Sequence, residues 1–353
     1  MATPPPLSRT AALGRFGLIG LAVLILAAVF AYVRGWLDPG RITPARMVDT
    51  LQANSGEHVG YRRNHAKGVC VSGWFESQGQ LAGDSKAAVF AAGRTPVVGR
   101  FALPGGNPYA PDSSVPIRSL ALRFTQADGQ QWRTGMNSMP VFPVGTTEAF
   151  FASLQASRPD PATGKPNPAA QQAFYASHPE TGPFLSWVKS AKPSASYATE
   201  AYNGLNAFYL VSADGRRQAV RWALVPIGQR PAASAGEGAD YLAQDLQQRL
   251  STGPLRWSLR MTFANPGDPV DDASKQWPED RRTVEAGTLV LENTVPQVEG
   301  PCRDINYDPT IVPEGLEISA DPLLPARSAA YADSYLRRTH EVDALHAPQE
   351  AHP

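Results

Sequence analysis

Two stretches of this chain share one pattern: an alternating apolar–polar run, the tripeptide Ala-Asp-Gly, and a second run. The first pair is residues 117–125 and 131–135 around Ala127-Asp128-Gly129. The second is 207–211 and 218–225 around Ala213-Asp214-Gly215. Alternation puts one side chain in two on each face of a strand, and Asp-Gly supplies the positive-φ residue that a tight hairpin needs. Leu120, Leu122 and Phe124 share one face of the first run. Trp257, Leu259, Met261 and Phe263 alternate with Arg256, Ser258, Arg260 and Thr262 further on. Long strands in successive hairpins favour a closed antiparallel barrel, which leaves no open sheet edge. The chain has 33 Pro and 30 Gly in 353 residues and only 18% charged residues. That abundance of turns argues against a helical bundle, so we expect an α+β chain in which helices surround an antiparallel barrel.

Helices are expected at 44–53, with Met47 and Leu51 on one face, and at 146–157 and 236–251. Residues 158–168 are Pro-rich and read as a surface loop. Residues 16–33 are uncharged and apolar, long enough to span a bilayer. Arg9 and Arg15 precede this run, and Arg34 and Trp36 follow it, which places the N-terminus in the cytoplasm and the bulk of the chain outside. A cleaved signal peptide is the alternative. The divisions expected are a stub at 1–15, a single-pass transmembrane anchor at 16–34, a linker at 35–43, a body at 44–340 and a polar, disordered tail at 341–353. Lys+Arg and Asp+Glu are equal at 32 each, so nothing general draws the chain to nucleic acid. Cys70 and Cys302 each lie in or beside an apolar strand and read as small buried hydrophobes. Pairing is the alternative in an oxidising compartment.

Residues 327–338 contain no Gly or Pro and read as a helix. Arg327, Tyr331 and Tyr335 recur at i, i+4 and i+8, with Arg338 three further on, so all four share a face. A tyrosine with a guanidinium one turn away is a chemically sensible ligand for a haem iron, because the cation stabilises a phenolate. His65 stands in His65-Ala66-Lys67-Gly68, just after Arg62 and Arg63. Asn137 lies in Gly135-Met136-Asn137-Ser138-Met139-Pro140-Val141-Phe142.

Taken in order, these segments resemble the haem catalase family. His65-Ala66-Lys67-Gly68 resembles its catalytic-histidine motif, Arg100-Phe101 its Arg-Phe-Ser segment, and Asn137 with Pro140 its catalytic-asparagine segment. Ile305-Asn306-Tyr307-Asp308-Pro309 and Pro313-Glu314-Gly315-Leu316-Glu317 resemble the run before the ligand helix, and Arg327 and Tyr331 match the arginine and the proximal tyrosine. The resemblance spans about 44–338 and departs in three places. Ala102 replaces the serine that accepts a hydrogen bond from the distal histidine, Tyr335 replaces a histidine, and the long wrapping segment shrinks to roughly 264–287, keeping Gln276-Trp277-Pro278. The shortness of the chain makes it most similar to minimal, membrane-anchored catalase-related peroxidases.

The resemblance implies a non-covalent haem b with Tyr331 on the iron. Covalent c-type attachment is excluded, because no Cys-x-x-Cys-His motif occurs. Arg62, Arg100 and Arg338 would pair with the propionates. His65 would be the distal acid–base group, and Asn137 would hold the peroxide. The expected activity is reduction of hydrogen peroxide or organic hydroperoxides by a small organic donor of unknown identity, through a ferryl intermediate. It would take place on the periplasmic side of the inner membrane. True catalase activity, hydroperoxide isomerisation and a non-enzymatic haem-binding peroxide sensor are the alternatives. The oligomeric state is left open.

Overall fold

The computed structural model describes residues 8–38, 40–229 and 238–346. Ten strands form one sheet, with every neighbouring pair antiparallel. They are β1 (Gly68–Ser77), β2 (Gly93–Ala102), β3 (Ser119–Thr125), β4 (Gln131–Asn137), β5 (Tyr202–Asn203), β6 (Phe208–Val211), β7 (Arg217–Pro226), β8 (Leu255–Phe263), β9 (Thr283–Pro296) and β10 (Leu316–Ile318). Eight of them close a barrel in the order β1-β2-β3-β4-β5-β7-β8-β9, with β9 returning to β1. Strands β6 and β10 extend from β7 outside the ring.

The alternation does what the sequence predicts. Leu120, Leu122 and Phe124 of β3 point inward, paired with Met136, Thr134 and Trp132 of β4. The core is rich in aromatics: Phe124 stacks on Trp132 at 4.6 Å between ring centres and Phe101 on Tyr197 at 4.8 Å. The one polar side chain of this inner row, Thr134, accepts the Trp222 indole N–H at 3.1 Å, so its burial is satisfied.

The helices are α1 (Arg9–Val33), α2 (Pro44–Ser55), α3 (Thr147–Ala156), α4 (Pro168–Ser177), α5 (Gly182–Ser190), α6 (Tyr241–Thr252) and α7 (Leu323–His346). Helix α1 starts seven residues before the apolar run and buries none of its residues. At 1.5 Å per residue its 25 residues reach about 37 Å, enough to cross a membrane. Helix α2 begins with Pro44 behind Thr43, whose hydroxyl caps the Arg46 N–H at 3.2 Å. Helix α7 packs along α2 across the outside of the barrel.

Several expectations are corrected. Helices α4 and α5 lie in 168–190, where no element was foreseen beyond the loop at 158–168; Pro168 is the first residue of α4 and Pro183 the second of α5, positions in a first helical turn that proline suits. Helix α6 begins at Tyr241 rather than 236, and residues 236–237 lie outside the described residues. Helix α7 runs through His346 instead of giving way to a tail at 341. Its last turns are held because Glu341 pairs with the buried Arg63 and accepts the Gly60 N–H at 2.7 Å. Residues 347–353 lie outside the described residues. The connection before β9 is 264–282, because Thr283–Gly287 belongs to that strand. Cys70 and Cys302 form a disulfide with Cα atoms 5.4 Å apart, not two free apolar fillers. They sit in a small cluster with Ile305 and Tyr307, and pairing of residues 232 apart leaves no local trace in sequence.

Candidate active site

The outward-facing residues of β2, β3 and β4 form the floor of a cavity of about 310 Å³, and α2 and α7 contribute walls. That size lies in the range of ligand sites. The floor is made of small side chains: Ala102 opposite Ser119, Ser119 opposite Asn137, and Ala121 opposite Gly135. A Cβ at Gly135 would come within 3.2 Å of Arg327 Nη2, so the glycine leaves a shelf that a larger residue would fill. Met47, Val48 and Leu51 of α2 close the cavity with apolar surface.

All seven residues singled out from sequence line this one cavity: Arg62, His65, Arg100, Asn137, Arg327, Tyr331 and Arg338. His65 enters from the loop before β1 with φ +54°, in the left-handed region that a residue with a Cβ seldom adopts. Asn64 holds that backbone, its side-chain oxygen accepting the N–H of His65 at 2.9 Å and of Gly105 at 2.8 Å. The imidazole is pushed down to about 3 by burial and then by Arg100, Arg327 and Arg62, so it is neutral at physiological pH. Its Nδ1 is buried without a hydrogen-bond partner, and the position of the expected serine, Ala102, offers no hydroxyl. Lys67, beside His65 in sequence, is turned to other work: it bridges Asp112 and Asp240 at 2.8 Å each.

Asn137 ends β4. Its side-chain oxygen accepts from the Ser119 hydroxyl at 2.6 Å, which leaves its NH2 free to donate. From α7, Arg327 Nη2 donates to the Tyr331 phenol oxygen at 3.4 Å. Arg327 Nη1 donates to Asn206 Oδ1 at 2.5 Å, and Asn206 Nδ2 donates to Asp321 at 2.8 Å. Asp321 also caps α7 through the Leu323 N–H at 2.9 Å. Burial, the largest influence, raises the Asp321 carboxyl above its usual range. The aspartate, amide, guanidinium and phenol form a continuous chain behind the cavity.

Arg62, Arg100 and Arg338 converge on the cavity, and none forms an ion pair among the described residues. Arg62 Nη2 donates to the carbonyls of Cys302, Arg303 and Ile305 at 3.0, 3.1 and 2.9 Å. Arg100 donates to Ala66 O at 3.0 Å and to Gln297, and Arg338 donates to Arg303 O. Burial, with the neighbouring guanidiniums, lowers all three, Arg62 far below its usual range and Arg100 to about 10. The Arg338 Nε is buried without a partner. Buried cations that crowd one another and form no ion pair are an electrostatic demand for an anionic ligand.

A haem fits these residues. The small-residue floor leaves room beside the sheet, the arginine cluster suits carboxylates, and Tyr331 is the phenol oxygen backed by a guanidinium. Sequence reasoning missed Ser119, Asn206 and Asp321. Ser119 was within reach, since a hairpin turning at Asp128 pairs 119 with 137 by counting. The Asn206–Asp321 link joins residues 115 apart and has no sequence signal.

The barrel and this cavity's residues suit a bound anionic cofactor, and comparison with known proteins says which family they belong to. The family described as Catalase matches residues 39–347. A catalase-related peroxidase of Synechococcus elongatus is 37% identical over 325 residues, covering 91% of this chain and 95% of that one. A catalase-related peroxidase of Mycolicibacterium paratuberculosis is 31% identical, covering 88% and 99%. A catalase of Mus musculus is 28% identical, covering 80% of this chain but 57% of its own. A solved bacterial catalase superposes with a TM-score of 0.70 at 24% identity over 80% of this chain and 58% of that one, which establishes the shared fold. The chain belongs to the catalase family.

Proposed function

We propose that this protein is a haem b-dependent peroxidase that reduces hydrogen peroxide or organic hydroperoxides with a small organic donor. The observation that carries this reading is the single cavity shared by His65, Asn137, Tyr331 and the Arg62–Arg100–Arg338 cluster. Tyr331 would hold the iron of a non-covalent haem and the three arginines its carboxylates; both cysteines are already committed to the disulfide. The haem supplies the oxidation–reduction chemistry that accepts oxidising equivalents from peroxide. Neutral His65 takes the proton from the near peroxide oxygen and returns it to the far one, so that the O–O bond breaks toward water or an alcohol. The Asn137 NH2 donates to the peroxide and fixes its angle, because Ser119 has already claimed the amide oxygen.

Two features favour an organic donor over a second peroxide. The connection over 264–282 is short, so little chain from it shields the cavity. Nδ1 of His65 lacks the partner that would hold the ring in a single setting. The two relatives matched along almost their whole length carry the name catalase-related peroxidase. The test is to measure oxygen release and dye oxidation on one preparation: clear oxidation of phenolic or azo dyes with weak oxygen release is expected. Oxygen turnover far above that for every donor would make it a true catalase.

The same reading places α1 in the inner membrane as a single-pass anchor with the barrel in the periplasm. Its wholly exposed apolar surface and the disulfide, a bond of oxidising compartments, support this. The full chain should stay in the membrane fraction after an alkaline wash; recovery as a soluble protein beginning near residue 34 would overturn the assignment.

A further inference from the structure

We infer that the Cys70–Cys302 disulfide is a positioning element for the cavity's arginine cluster, and through it for the carboxylates of the cofactor. This rests on the proposed haem reading and adds to it a covalent control of the haem-binding arginines.

The geometry starts from register. Cys70 on β1 lies directly opposite Arg100 on β2, so the two share the outer face of the barrel. On the other side of β1, Cys70 pairs with Val295 near the end of β9. The chain then leaves the sheet and has no helix or strand from 297 to 315. That stretch supplies the carbonyls that orient two of the three guanidiniums. Arg62 Nη2 takes Cys302, Arg303 and Ile305, and Arg338 Nη1 takes Arg303. The arginines therefore point where the segment 302–305 lets them.

Residues 305–307 are tied to the barrel by the buried Ile305 and Tyr307 and by Arg133, which donates to Asn306 O at 2.5 Å, whereas at 302–304 the tie is Cys302. Within the segment itself only two backbone turn bonds form, Arg303 N–H to Gly300 O at 3.1 Å and Ile305 N–H to Cys302 O at 3.4 Å. By contrast, Cys302 is bonded to a barrel strand, and its N–H donates to Cys70 Sγ at 3.2 Å. Gly300 lies so close that an added Cβ would reach 2.5 Å from that sulfur, so the loop is folded tightly over the bond. Irregular segments open locally at low free-energy cost unless packed or cross-linked. Cleaving the bond loosens the carbonyls of 302 and 303 against the barrel, and Arg62 and Arg338, which repel each other and Arg100, lose their alignment. Cys70 and Cys302 thus act as positioning residues, touching no ligand themselves.

The test separates this role from general stability by using two forms of the cofactor. The full chain is loaded either with haem or with haem dimethyl ester, which lacks the free carboxylates. Cofactor loss to excess apomyoglobin is then timed for the oxidised protein and for the Cys70→Ser, Cys302→Ser protein. Oxidised protein should release haem much more slowly than the ester. Removing the disulfide should speed haem loss by roughly tenfold, about the value of one charge-assisted hydrogen bond, and leave ester loss nearly unchanged. Equal acceleration of both cofactors means a merely structural bond and overturns the inference, as does undiminished discrimination in the variant. Failure of the oxidised protein to discriminate at all would instead strike the arginine–carboxylate reading beneath it. Should the serine protein not fold, the same two timings are made on folded wild type, reduced and alkylated below its unfolding temperature, with circular dichroism confirming that it stays folded.

Discussion

Arg327 and Tyr331, one turn apart on α7, are joined by a hydrogen bond of 3.4 Å from guanidinium to phenol oxygen, and Asn206 and Asp321 stand behind the guanidinium. The phenol is thus presented to the cavity with a cation at its back. Tyr331→Phe removes the one phenol oxygen that this chain of contacts presents to the cavity as a ligand for iron. The purified variant should carry little or no haem, while unfolding at a temperature close to that of haem-free wild type. A full haem complement with an unchanged visible spectrum would sink the ligand assignment.

His65 and Tyr331 line the same cavity from different elements, so their roles should separate cleanly. His65→Gln should keep its haem and react with peroxide roughly 10²–10⁴-fold more slowly, the usual worth of positioned acid–base assistance. Stopped-flow absorbance gives the rate, and wild-type kinetics in the variant would remove His65 from the mechanism.

The same histidine sets a pH dependence of stability. Its folded pKa is about 3, below the ordinary value of 6.5. Between those values the unfolded chain binds the proton and the folded one does not. The contribution is therefore fully present above pH 6.5 and drains away as pH falls toward 3. The urea midpoint should drop on going from pH 7 to pH 4.5, and drop less in His65→Gln. Identical slopes for the two proteins would show that His65 is not held neutral in the fold.

Ala102 lies where a hydroxyl would face the distal side of the cavity, and His65 Nδ1 has no partner. Ala102→Ser should supply one and narrow the settings of the ring. The expected outcome is a several-fold rise in oxygen release relative to dye oxidation. An unchanged ratio would show that the missing hydroxyl does not set the balance.

Much of the barrel could be read in advance because its signals are local. Ala127-Asp128-Gly129 and Ala213-Asp214-Gly215 announce two hairpins, and the alternation from Trp257 to Phe263 announces β8. The seven cavity residues were found by motif and resemblance, not by geometry. What escaped was non-local or ambiguous. Glu341 belongs with Arg63, Asp321 with Asn206 and Cys302 with Cys70, pairings that exist only once the chain has folded. Pro168 and Pro183 stand in the first turns of helices, yet a proline reads equally as a loop.

Strands β3 and β4 carry two jobs on alternate residues. Leu120, Leu122, Trp132 and Met136 fill the barrel, while Ser119, Ala121, Gly135 and Asn137 shape the cavity outside it. Chemistry and cohesion are thereby assigned to different faces of the same ribbon. A substitution on the outer row reshapes the cavity without replacing the side chains that fill the barrel. Such a scaffold can drift between activities by single steps, each leaving a folded protein for selection to act upon.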